Sequence, residues 1–170
     1  MLCAGVYFGA PKLTISFLLA AALHELGHLL VAKFLGMKVR RLTLSCAGAE
    51  LVLDTHSSYA EDVILCLTGP AINLLLALWS NYPFFTGANL LLGIFNLFPI
   101  RGLDGGNALY AFLAWALGPV LGERITKRVS ILFSIAITLT GGGIFFYMKS
   151  SPRLMLMGVW LTAVALGRRK

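Results

Sequence analysis

Residues 13–35 are apolar apart from Thr14, Ser16, Lys33 and one block, His24-Glu25-Leu26-Gly27-His28. As a helix rising 1.5 Å per residue, this run measures roughly 35 Å, enough to cross a hydrocarbon core about 30 Å thick. No other feature restricts the fold as strongly. A backbone at bilayer depth must satisfy its own polar groups, which leaves helices and closed barrels as spanning structures. The block inside the run is a second restriction. A carboxylate at the bilayer centre costs roughly 3 kcal/mol on insertion scales, and helix packing alone has no need of one. The same five residues on a wet helix of a soluble protein would mean little.

Composition extends the argument to the whole chain. Of its 170 residues, 58% are hydrophobic and 12% charged, against about 25% charged in soluble domains. Further apolar runs occupy residues 60–79, 84–117, 129–147 and 154–166. The run at 84–117 is broken by Pro99, Arg101, Gly102, Asp104, Gly105 and Gly106, and irregular backbone at that depth is tolerated only beside protein or a wet cavity. The expected fold is an all-α integral membrane bundle of about five spanning segments, one of them broken near the candidate site. Residues 38–54 alternate apolar and polar around Gly48 and predict a short membrane-associated β-hairpin or strand-like loop. Residues 1–170 read as a single domain, with a core at 13–117, a charged loop at 123–128 and C-terminal helices at 129–166.

The net charge is +7. In a soluble chain that excess would raise nucleic acid as a partner. Here Lys38, Arg40, Arg41, Arg124, Lys127, Arg128, Arg168, Arg169 and Lys170 fall between or after apolar runs, as the inside loops of membrane proteins collect them. The partner is therefore the lipid bilayer and not nucleic acid. Five crossings put the N-terminus outside and the C-terminus in the cytoplasm. Cys3, Cys46 and Cys66 have no metal-ligand spacing.

Residues four apart share a helix face, so His24 and His28 can grip one metal ion. Glu25 beside them can act as general base toward water. Zinc suits such ligands, and a catalytic zinc takes three protein ligands and an open position. Two histidines are one ligand short. Glu50, Asp54, Glu61, Asp62 and Glu123 map to inside loops or helix starts, which leaves Asp104 as the intramembrane acid. Two alternatives stand beside it: Arg101 could pair with Asp104 and make that acid structural, and His56 could fold inward as the third ligand. Asn73 and Asn96 are the intramembrane amides of note; each could hydrogen-bond between helices or hold substrate backbone.

These residues resemble the site-2 protease family of intramembrane zinc metalloproteases (peptidase family M50), and its compact sporulation-type members in particular. His24-Glu25-Leu26-Gly27-His28 matches the family's HExGH signature, and Gly69-Pro70-Ala71-Ile72-Asn73 its glycine-proline-asparagine stretch. Asn96-Leu97-Phe98-Pro99 with Leu103-Asp104-Gly105-Gly106 matches its NxxP…LDG signature. The resemblance implies that His24, His28 and Asp104 bind Zn2+, that Glu25 activates water and that Asn96, with Asn73, holds substrate. It implies hydrolysis of transmembrane or membrane-associated proteins in regulated intramembrane proteolysis, in a bacterial plasma membrane, with room for a homo-oligomer or a regulatory membrane subunit. The PDZ and CBS modules of many members have no counterpart in residues 1–170, and the family helix ahead of HExGH is expected to be absent or cut to Met1–Ala10. The rival reading is a metal-binding membrane transporter or sensor without hydrolytic activity.

Overall fold

The computed structural model describes residues 11–37, 39–45, 48–53, 58–148 and 153–167. The elements run α1 (Pro11–Phe34), β1 (Val39–Ser45), β2 (Gly48–Leu53), α2 (Tyr59–Trp79), α3 (Pro83–Asn96), α4 (Asp104–Leu117), α5 (Pro119–Met148) and α6 (Arg153–Gly167). They form two compact units, residues 1–97 and 98–170, a division that falls inside the broken apolar run and not between 117 and 129.

In the first unit α1, α2 and α3 pack against one another. Ser16, Ala20, His24, His28 and Ala32 recur every fourth position and form the buried face of α1, since one turn of helix brings them into line. α2 buries Leu65, Gly69, Asn73 and Ala77 at the same spacing. It begins with a capping box: Glu61 N–H donates to Ser58 Oγ at 3.3 Å and Ser58 N–H to Glu61 Oε2 at 2.8 Å, satisfying two otherwise orphaned amides. α3 opens on Pro83, whose lack of an amide costs nothing at a first helical position. β1 and β2 pair antiparallel, with Thr43 opposite Glu50 and a register shift between Val39 and Arg41. His56 lies outside the described residues.

The second unit packs α4 on α5 and α5 on α6. Gly158 lets the last two approach closely: a Cβ there would stand 2.7 Å from Thr138 Cα. The charged loop expected at 123–128 is instead part of α5, one unbroken helix of 30 residues. Glu123, Arg124, Lys127 and Arg128 are good helix formers, so they extend the apolar helix that follows them, and the turn comes earlier, at Gly118 with φ +86°.

The distribution of side chains is the reverse of a water-soluble protein. The buried residues are mostly small or polar (Ala20, Ala88, Ala111, Asn73, Asn89, Ser130, Ser134), while Ile15, Leu30, Leu78, Leu91, Trp115, Leu132 and Leu139 are exposed. Small residues let helix backbones approach where lipid gives no hydrophobic drive for burying large ones. Helices α1 and α2 and residues 119–147 are long and apolar enough to cross a bilayer. This is a membrane protein.

Candidate metal centre

Each functional side chain is placed by its own unit. In the first, His24 and His28 stand one turn apart on the buried face of α1, 4% and 6% exposed. Their Nε2 atoms are 3.2 Å apart.

The proton positions follow from the partners. His28 Nδ1 lies 2.8 Å from the Leu65 carbonyl of α2. A carbonyl only accepts, so Nδ1 carries the hydrogen and Nε2 the lone pair. Pro70 removes the amide that would bond the Cys66 carbonyl, one position along the helix from Leu65.

The His24 assignment takes two steps. Asn73 Nδ2 donates to the Ala20 carbonyl at 3.2 Å and to Asn89 Oδ1 at 2.7 Å, which uses both its hydrogens. The other end of the amide, Oδ1, therefore faces His24 Nδ1 and accepts from it. Asn89 in turn donates from Nδ2 to the Phe85 carbonyl at 2.9 Å. Both histidines thus present Nε2 lone pairs to one place. Ring N–H groups held by carbonyl oxygens are the usual support of metal-ligating histidines.

The spacing fits a metal. Two nitrogens about 2.0–2.1 Å from a tetrahedral ion stand about 3.3–3.4 Å apart, against 3.2 Å here. Room for the two rings comes from Gly69, where a Cβ would fall 2.6 Å from His24 Nε2 and closer still to His28 Nε2. Gly27 has a related part: a Cβ there would overlap Ile72 Cδ1 of α2. The two glycines of the HExGH and glycine-proline stretches are therefore the points where α1 and α2 come together. Glu25 follows His24 and is half-buried. Asn96 ends α3, half-buried, whereas Asn73 is 0% exposed with its amide wholly engaged by His24, Ala20 and Asn89.

In the second unit Asp104 is the first residue of α4, an end that favours a negative charge. Residues 98–103 ahead of it are tightly fixed. Ser130 Oγ of α5 accepts from the Arg101 N–H at 3.0 Å and lies 3.1 Å from the Pro99 carbonyl. Gly102 takes φ +104°, a left-handed conformation that glycine adopts without strain. Gly106 lies so near the Ile100 carbonyl that no Cβ fits. The Arg101 guanidinium lies 3.3 Å from Glu123 and 4.4 Å from the centre of the Tyr110 ring. Asn89 and Ser130 were not singled out by the sequence. Their only signal is a small polar side chain inside an apolar helix.

Comparison with known proteins accords with these motifs. No protein-family model matches the chain. Stage IV sporulation protein FB of Bacillus subtilis is 27% identical over 145 residues, 77% of this chain and 50% of that protein. A zinc metalloprotease of Methanocaldococcus jannaschii is 27% identical over 144 residues, 76% of this chain and 42% of that protein. Among solved structures, the site-2 protease from Methanocaldococcus jannaschii superposes with a TM-score of 0.67 at 21% identity, over 98% of this chain and 81% of that one. The chain is similar to these proteins in sequence and in fold. It has the site-2 protease fold, and it spans half or less of the length of these two curated relatives.

Proposed function

We propose that the chain is an intramembrane zinc metalloprotease that hydrolyses peptide bonds of transmembrane or membrane-associated proteins, in regulated intramembrane proteolysis. The observation that carries this reading is the pair of Nε2 atoms 3.2 Å apart with both ring N–H groups turned away onto carbonyl oxygens. His24 and His28 would hold the Zn2+, with the Asp104 carboxylate as third ligand. The second unit gives Arg101 its own carboxylate in Glu123, so the arginine has no need of Asp104 for charge balance.

When bound, zinc supplies a Lewis acid for the scissile carbonyl and lowers the pKa of water. The Glu25 carboxylate takes the proton from the attacking water and passes it to the leaving amine. Asn73 holds the His24 ring through Nδ1, and this engagement favours an orienting part for it over substrate contact. Asn96, at the start of the interrupted segment, is the amide assigned to substrate backbone.

Five crossings are proposed, with α3 and α4 counted as one, the N-terminus outside and the C-terminus in the cytoplasm of a bacterial plasma membrane. A helical substrate has its amides internally bonded and must unwind to be cut. β1 and β2 would receive it as a further strand, since a two-stranded ladder has open edges. Prolines along the outer edges should then slow cleavage, and unchanged cleavage would end that docking idea.

Glu25→Gln tests the central reading. Zinc content should stay at the wild-type level while cleavage is lost and an uncut membrane precursor accumulates in cells. An active Glu25→Gln protein would remove Glu25 as the base. Zinc binding without any cleavage by the wild-type protein would favour a transporter or sensor.

A further inference from the structure

We infer that Asn89, on α3, is a positioning residue that fixes the proton of His24 on Nδ1 by setting the orientation of the Asn73 amide. The inference builds on the metal-centre reading above and concerns a residue outside its three signatures. The chain of constraint starts at the Phe85 carbonyl, which can only accept. It takes the hydrogen of Asn89 Nδ2 at 2.9 Å, so Asn89 must present Oδ1 on its other side. That oxygen is 2.7 Å from Asn73 Nδ2, shorter than the 3.2 Å from the same nitrogen to the Ala20 carbonyl. With Nδ2 held there, Asn73 can offer His24 only Oδ1, and His24 must answer with Nδ1–H.

The consequence is directional. Were Asn73 to turn over, its Nδ2 would face His24 Nδ1, which would then have to accept and shift its hydrogen to Nε2. That is the atom facing His28 Nε2 at 3.2 Å, and a protonated Nε2 cannot ligate a metal. Asn89 is 0% exposed, as is Asn73, so water does not substitute for the missing acceptor. The Ala20 main-chain carbonyl holds the same Asn73 nitrogen at 3.2 Å and shares this task with the shorter bond from Asn89, whereas His28 has a main-chain carbonyl directly at Nδ1.

The test compares Asn89→Leu, which has similar volume and neither bond, with Asn89→Asp. In its protonated form the aspartic acid keeps an acceptor for Asn73 and a donor for the Phe85 carbonyl. Two readouts apply. Nitrogen-15 NMR of ring-labelled, metal-free protein in detergent reports which His24 nitrogen bears the hydrogen. Chelator competition with Zn2+ and with Co2+, followed by the cobalt spectrum, reports the metal. Asn89→Leu should show mixed His24 tautomers and about 10–100-fold weaker metal binding, the range for losing a partner behind a ligand. Asn89→Asp should restore the single Nδ1–H form and most of the affinity. If Asn89→Leu does not fold, Asn89→Ala, which also lacks both bonds, takes its place. A leucine or alanine variant with one Nδ1–H tautomer and wild-type metal affinity would overturn the inference. So would an aspartic acid variant no better than leucine. The NMR arm needs neither metal nor proteolysis, so a wild-type protein that bound no zinc would sink the proposed function while leaving this result separately readable.

Discussion

Replacing Gly69 by alanine sets two known effects against each other. Helix propensity alone favours Gly69→Ala by about 1 kcal/mol, because alanine loses less backbone entropy. Packing opposes it. The new Cβ would lie 2.6 Å from His24 Nε2, where ordinary contact begins near 3.4 Å. The shortfall of about 0.8 Å at His24, and more at His28 Nε2, must be relieved by the imidazoles or by α2, at an overpacking cost of about 1–3 kcal/mol. Metal ligation tolerates displacements of about 0.2 Å, a quarter of that shortfall, so the centre should fail before the fold does. The expected result is a small change in unfolding temperature with a loss of at least about tenfold in zinc affinity. Metal analysis and chelator competition on detergent-purified protein measure the second quantity, and thermal unfolding of the metal-free protein measures the first. Stoichiometric zinc at wild-type affinity in Gly69→Ala would refute the claim that the two ligating rings need glycine at this position.

Other substitutions test neighbouring parts. Asp104→Ala should lose both zinc and activity; a variant that kept its metal would return the third position to another ligand. Gly102→Ala combines positive φ with a Cβ 3.1 Å from Val164 Cγ1, and should destabilise the protein by about 1–3 kcal/mol, read as a lower unfolding temperature. Ser58→Ala removes the oxygen that caps α2 and should cost about 1 kcal/mol with little effect on metal affinity, which separates general stability from damage to the centre.

Much of the candidate site could be read from residue order because the physics of a bilayer makes polar residues informative. His24, Glu25, His28 and Asp104 stand out in apolar surroundings, and the two histidines share a face by helix period alone. The interruption ahead of Asp104 was legible for the same reason, through Pro99 and its glycines. What escaped was set by tertiary partners. Asn89 is one amide in an apolar helix until Asn73 and Phe85 are seen on either side of it. Ser130 is a common helix-packing residue until its hydroxyl meets the backbone at Pro99 and Arg101. The loop expected at 123–128 failed because charge was taken as a sign of a turn, whereas Glu, Arg and Lys favour helix and the chain had already turned at Gly118.

The unbroken course of α5 has a mechanical meaning. Thirty residues at 1.5 Å each make a rod of about 45 Å, some 15 Å longer than the hydrocarbon core. The surplus equals about ten residues, the length of the stretch from Pro119 to Arg128, which carries the charges of this helix at 123–128. Glu123, which grips Arg101, belongs to that stretch, and Ser130, which grips the backbone around it, follows within two residues. A load applied at the polar end of this rod would therefore be felt at the segment leading to Asp104 with no hinge in between.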